Sequence, residues 1–237
     1  MFVMDEEKGI TRREVLKLSA VLGLGAVAVP KLRSPILTKS VELGGRAQAA
    51  FHGKLTLAPV YSDAELTPSA QFPVNSYLLA DPGVDLGSWK LNVSGDVASP
   101  GEYTLAQVQS LRKINQNTRH ICIEGWSVIG KFAGTSLTTF LDYVGASPSA
   151  RFLTVECADD YYEFLDMETA RHPQTLLCYE MYGAPLTAEH GAPLRLQMPT
   201  KLGYKQAKYL TKLRVTTELG KRRGYWVDLG YPAYGGL

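Results

Sequence analysis

Arg119-His120-Ile121-Cys122-Ile123-Glu124-Gly125-Trp126-Ser127 puts a thiol, two basic side chains, a carboxylate, an indole and a glycine into nine residues. A run that only filled a core would not carry so many polar groups. Cys122 stands between two isoleucines, β-branched residues that suit a pleated, half-buried surface. The stretch therefore predicts a short buried strand ending at the cysteine. Gly125 then permits a tight change of direction. A thiol held at a strand end and followed by a turn is aimed at something, and the rest of the chain has to supply it.

Around this stretch, 237 residues allow one good-sized domain. Hydrophobic residues make up 45% and charged residues 20%, which excludes a disordered chain. A net charge of +2 is too small to call for nucleic acid or a membrane surface. There are three cysteines, Cys122, Cys157 and Cys178, with no CxxC pair and no Cys/His cluster at zinc spacing. An odd count leaves at least one thiol without a disulfide, and Cys122 is the candidate.

Residues 1–49 differ from the remainder. Thr11-Arg12-Arg13-Glu14-Val15-Leu16-Lys17 precedes an apolar run from Leu18 to Pro30. This resembles a twin-arginine export signal. The apolar run falls short of the roughly 20 residues that cross a bilayer as a helix. Cleavage is expected after Ala28 or Ala49, or not at all, leaving a tether. The twin-arginine route carries folded proteins, often with a cofactor already bound. The expected organisation is a signal and linker over 1–49 and one domain over 50–237, exported to the periplasm or the outer face of the cytoplasmic membrane.

Along the domain, residues 50–73 predict an extended arm rich in Pro, Ser and Thr. Strands are expected over Trp89–Val97, Arg151–Cys157, Tyr161–Leu165, Leu194–Met198 and the end of Tyr209–Thr217, where apolar residues alternate. Helices are expected after an N-cap at Thr104 and over Leu137–Val144, with a helical turn at Met167–Ala170. Thr175–Met181 reads as either helical or extended, and Tyr204–Leu210 as helical. Strands and helices intersperse without regular βαβ alternation, so the fold class is α+β with mixed β-sheets and surrounding helices.

Charge collects late in the chain. From Arg195 onward there are nine Lys or Arg and two acidic residues. Arg195, Lys201, Lys205 and Lys208 surround Gly203. A strand, a glycine-bearing loop and clustered cations suit a phosphate, although a solvated basic face is the commoner meaning of a lysine run. No GxGxxG or Walker loop is present, so neither a dinucleotide nor a nucleoside triphosphate is indicated.

A lone thiol, a phosphate-binding candidate and a folded-export signal now stand together. The stretches Cys122–Ser127, Met181–Gly183, His190–Leu196, Leu202–Lys208 and Gly224–Asp228 resemble the sulfite oxidase-type molybdopterin oxidoreductases. The nearest branch is that of the periplasmic methionine sulfoxide reductase catalytic subunits, and the resemblance covers roughly residues 70–237. It implies a single sulfite oxidase-type molybdopterin-binding domain carrying one molybdenum with one pyranopterin, Cys122 being the protein's thiolate ligand. Arg195, Gln206, Ala207 and Lys208 would hold the pterin phosphate. Asn75 and Tyr77 match an asparagine-aromatic element that contacts the cofactor. Cys157 and His190 fall where the reductase branch has a threonine and an asparagine. The implied chemistry is oxygen-atom transfer, with Glu124 shuttling protons and Trp126 walling the pocket. Arg119 and His120 would attract an anionic substrate.

Two departures bear on the substrate. No arginine pair follows the cysteine, and the chain ends soon after the core, which disfavours a dimeric sulfite oxidase; a monomer acting on a small molecule is expected, a sulfoxide-type substrate being what the resemblance to the reductase branch implies. There is no haem-attachment motif, so electrons are expected from a separate partner such as a membrane cytochrome b. The competing readings are sulfite dehydrogenase-like oxidation, a non-catalytic exported binding module, and a thiol enzyme using Cys122 with His120 as base, since residues two apart on a strand share a face.

Overall fold

The computed structural model describes residues 56–76 and 81–237. The export-signal reading of 1–49 and the assignment of Tyr77 lie outside the described residues. Alternation of apolar and polar side chains builds two five-stranded sheets. In the first, β1 (Lys90–Gly95) pairs antiparallel with β2 (Gly101–Thr104) and parallel with β10 (Leu210–Thr216). β10 continues antiparallel to β5 (Phe152–Cys157), which pairs with β6 (Tyr162–Asp166). One parallel pair in an otherwise antiparallel sheet makes it mixed, as expected.

The second sheet is antiparallel throughout. Its order is β3 (Lys113–Ile121), β4 (Ser127–Ser136), β7 (Leu176–Met181) and β8 (Ala184–Pro185), with β9 (Arg195–Gln197) also pairing with β7. β7 is buried on both faces. Leu177 and Tyr179 join the main core, while Leu176 and Cys178 join a smaller cluster with Phe72, Val128 and Phe132. Two buried faces give a continuous apolar run, which is why its periodicity could not separate strand from helix.

Short helices close the core. α1 (Leu105–Gln109) starts at Thr104, whose side chain accepts from Gln107 N while Gln107 Oε1 accepts from Thr104 N. α2 (Leu137–Tyr143) buries Leu137, Phe140 and Leu141 against the first sheet's Leu91, Leu153 and Leu213. Each such side chain contributes roughly 1.5–3 kcal/mol. α3 (Met167–Ala170) is capped by Asp166, and α4 is Tyr225–Asp228. No helix among the described residues is long and apolar enough to cross a membrane.

Two expectations need correction. Tyr204–Leu210 is not a helix: a single 3-10 turn spans Gly203–Lys205, and Tyr209 then takes a left-handed φ of 56° before β10 begins. Lys205 and Gln206 are buried instead of facing solvent, so the helical spacing there was coincidental. The described part of the arm is extended only in places. Two 3-10 turns interrupt it, and it is pinned to β3 by a bridge between Val60 and Thr118 and by Tyr61 N donating to Asn117 O.

Candidate active site

β3 and β4 form a hairpin in register from Lys113↔Thr135 to Ile121↔Ser127, so residues 122–126 are its loop. Cys122 is the first loop residue. Its N–H donates to Trp126 O at 3.0 Å and its carbonyl accepts from Gly125 N at 3.1 Å. Gly125 sits at φ +94°, a conformation that side chains with a Cβ resist. The buried face of β3 carries Gln116, Thr118 and His120, a polar series that continues to Cys122.

A cavity of about 350 Å3 opens at this loop. Cys122, Glu124 and Trp126 line it from the hairpin, and Asn75 from the arm. His190 and Arg195 approach from around β9, and Gln206, Ala207 and Lys208 from the segment before β10. The structure thus brings these nine residues together, with His120 of the same hairpin as a tenth. Cys157 is not among the residues lining the cavity. It ends β5 within the main core, and Asp159 and Tyr161 beyond it reach the wall instead.

At the mouth, one carboxylate oxygen organises three residues. Glu124 Oε2 accepts from Trp126 Nε1 at 3.0 Å and from Asn75 Nδ2 at 3.2 Å, and lies 3.6 Å from Cys122 Sγ. Burial pushes the Cys122 thiol up, with the Glu124 charge adding to it against a backbone hydrogen bond. His120 stacks at 5.7 Å from Trp126 and 5.8 Å from Phe72, and its Nδ1 lies 3.3 Å from Gln206 Oε1. Burial, then the charge of Arg195, pushes His120 down to about 3, so it is neutral. Arg119 alternates to the opposite face, where Nε meets the Tyr61 hydroxyl at 3.2 Å, so it does not reach this cavity.

The far wall carries two cations that no ion pair engages among the described residues, with the carboxylate of Asp159 acting on Lys208 from the same cavity. Arg195 is 4% exposed, yet its Nη1 donates to the His190 carbonyl at 3.1 Å and no ion pair engages it among the described residues. Lys208 Nζ donates to Ser76 Oγ and to the Glu189 carbonyl, each at 2.9 Å, and likewise meets no carboxylate. Burial and then Arg195 push Lys208 down to about 8. A buried guanidinium stays charged, and a buried charge is normally paired; this pair calls for an anion in the cavity.

The thiol end has the complementary deficit. No group of three His, Cys, Asp or Glu among the described residues could hold a metal by protein ligands alone. A metal beside Cys122 would need its other donors from a ligand that also carries negative charge toward Arg195. A metal–pterin phosphate has that composition, so the residues present fit such a group.

Sequence reasoning gave no role to Phe72, Ser76, Asp159, Tyr161 and Tyr231, which also line the cavity, and reached Tyr204 only within the quoted stretch Leu202–Lys208. Trp226 also lines the cavity; it was visible only through the quoted tail Gly224–Asp228. The aromatic residues among these are ordinary core or tail residues by composition, and only the fold brings them to the cavity.

Residues 78–226 match the family described as oxidoreductase molybdopterin binding domain. A putative protein-methionine-sulfoxide reductase subunit YedZ1 of Azospira oryzae is 47% identical over 182 residues, covering 76% of this chain and 68% of that protein. The protein-methionine-sulfoxide reductase catalytic subunit MsrP of Xanthomonas axonopodis is 26% identical, over 98% of this chain and 78% of its own length. Among solved structures, the sulfane dehydrogenase SoxCD of Paracoccus pantotrophus shares the fold, with a TM-score of 0.53 and 19% identity over 57% of this chain and 40% of that one.

Proposed function

Because the chain belongs to the oxidoreductase molybdopterin-binding domain family, we propose that it is an exported molybdenum enzyme that transfers an oxygen atom, acting on a small sulfoxide-type substrate. The observation that carries this is one cavity with the Cys122 thiol at its mouth and the unpaired Arg195 and Lys208 on its far wall. Cys122 would be the protein's ligand to molybdenum. Arg195, Gln206, Ala207 and Lys208 would hold the phosphate of a single pyranopterin. When bound, that cofactor supplies the two-electron oxygen-atom chemistry.

The chain's own residues position groups and line the cavity. The indole N–H of Trp126 and the amide of Asn75 hold Glu124 beside the thiol, while its side chain stays exposed to solvent. A carboxylate so placed can pass a proton between bulk water and the reacting oxygen. Trp126, His120 and Phe72 form a contiguous run of tilted rings along the wall of the cavity. His120, neutral and tied to Gln206, donates or accepts hydrogen bonds there without adding charge.

The relatives named as methionine-sulfoxide reductases support a sulfoxide. So does the charge at the mouth. The loop brings no arginine to the thiol, Arg119 faces away, and the inner cations are reserved for phosphate. A neutral substrate suits this mouth better than sulfite. A simple thiol enzyme is disfavoured, because nucleophilic thiols are lowered by their surroundings and burial raises Cys122. Electrons would come from a separate partner such as a membrane cytochrome b, outside the cytoplasm, with this chain acting as a monomer.

Full-length protein from a host that makes the cofactor should carry one molybdenum per chain and reduce methionine sulfoxide faster than it oxidises sulfite. Cys122→Ser should cut turnover by at least about 100-fold, as loss of a metal ligand exceeds the cost of losing an outer partner, and leave the melting temperature of the cofactor-free protein unchanged. Absence of metal, or full activity in Cys122→Ser, would overturn the reading.

A further inference from the structure

A second cavity, of about 380 Å3, is lined by the side chains that β3 turns away from the first. Arg119 and Ile121 line this one, whereas His120 and Cys122 line the other, following the alternation of a strand. Lys201 lies in its wall and is 2% exposed. Its Nζ makes no hydrogen bond and lies 3.0 Å from the centroid of the Tyr234 ring. A ring face offsets part of the burial of an ammonium, but three N–H donors are left without acceptors.

Two carboxylates, Asp166 and Glu168, line the cavity together with Lys201 and Arg119, and neither forms an ion pair with them. Asp166 caps α3, accepting from Thr169 N at 2.7 Å and Thr169 Oγ1 at 2.9 Å. His172 lies 3.3 Å from the Thr56 carbonyl through Nε2 and accepts from Gln174 N through Nδ1 at 3.2 Å. Arg119 adds a second cation that meets only hydroxyls, Tyr61 and Ser127, each at 3.2 Å. Burial pushes Lys201 down to about 7 against the pull of Asp166 and Glu168, as happens to a cation that lacks a contact anion. Leu57, Ala58 and Ile121 supply an apolar wall, Leu57 being 60% exposed.

We propose that this cavity binds a small organic anion, a carboxylate with an apolar or aromatic body, whose carboxylate reaches the covered Lys201 ammonium when the Tyr234 ring turns aside and whose body lies on Leu57, Ala58 and Ile121. The site is distinct from the first but shares a wall with it. Gln206, whose Oε1 lies beside His120, donates through Nε2 to the Lys201 carbonyl at 2.9 Å. The proposal does not depend on the reaction assigned to the first cavity.

Titration calorimetry on the full-length, cofactor-loaded protein tests it, with benzoate as the charged probe and benzyl alcohol as its uncharged counterpart. Benzoate should bind one per chain and benzyl alcohol at least about tenfold more weakly, the worth of one charge-assisted contact. Lys201→Met should weaken benzoate about tenfold with molybdenum content unchanged. Ala58→Trp, which adds bulk at a different lining residue, should weaken both probes. The comparison of the two probes needs no variant, so poor folding of Lys201→Met would not remove the test. Equal binding of the two probes, no heat from benzoate up to about 10 mM, or full benzoate affinity in well-folded Lys201→Met would each overturn the proposal.

Discussion

Lys208 is a cation that folding places beside another cation, Arg195; its Nζ donates to a hydroxyl and a carbonyl, and the carboxylates of Asp159 and Glu189 act on it without forming an ion pair. In the cofactor-free chain its folded value is about 8 against an ordinary 10.5. Below pH 8 both folded and unfolded chains hold the proton. Between about pH 8 and 10.5 only the unfolded chain holds it, so Lys208 contributes rising stability as pH rises through that window. Cysteines and tyrosines titrate nearby in pH, but they do so in wild type and Lys208→Met alike. Urea unfolding of the two cofactor-free proteins should therefore show their stability difference moving in favour of wild type by about 1–3 kcal/mol across the window, discounted for partial exposure. A flat difference would remove the argument that Lys208 awaits an anion. At this scale the sequence was informative where chemistry was unusual: a thiol, a guanidinium and a clustered ammonium stand out from any core. His120 was ambiguous, because a histidine on a strand serves a core or a site equally well until its neighbours are known.

The hairpin of β3 and β4 shows why whole elements were harder to read than single residues. The buried face of β3 is Gln116, Thr118 and His120, so polarity alternates in the wrong sense and only the end at Cys122 looked like a strand. β4 gave no reading at all: Gly130 and Gly134 break its pattern, and its second half is buried on consecutive residues. Gly134 has a steric reason to be glycine. A Cβ there would collide with the Leu177 carbonyl across the β4–β7 pair, at a register shift between Ala133 and Gly134. Gly125 differs: a Cβ would meet nothing within 4 Å, and only its φ of +94° resists substitution. Gly134→Ala should therefore cost at least about 2 kcal/mol by forcing two paired backbones apart. Gly125→Ala should cost about 1 kcal/mol and act mainly by moving Cys122, lowering molybdenum content more than stability. Thermal melts with metal analysis on both variants separate these outcomes, and equal losses of stability would contradict the distinction.

Across the whole molecule, the first sheet and the cavity wall are joined by one buried ion pair. Glu163 in β6 accepts from Lys205 Nζ at 2.6 Å, with both side chains at most 2% exposed, and Lys205 also donates to the Phe164 carbonyl at 2.8 Å. Lys205 belongs to the segment that carries Gln206, Ala207 and Lys208 to the cavity, so the pair fixes where that segment sits. The sequence suggested Lys205 as part of a basic face; its partner lies 42 residues earlier, a pairing that only the strand order creates. Burial raises Glu163 even though Lys205 pulls it down, so desolvation is the larger effect. Pairs of this kind add little net stability, but removing one member strands the other charge, at about 3–5 kcal/mol. Glu163→Gln should therefore unfold at much lower urea and retain less cofactor. Glu163→Leu combined with Lys205→Met removes both charges, and its stability should return to within about 1–2 kcal/mol of wild type. If the ion pair serves the cavity by holding the segment in place rather than by its charge, the double variant should also recover most of its molybdenum. A double variant as stable as wild type but still empty would show instead that the Lys205 charge itself is needed beside the cavity's far wall.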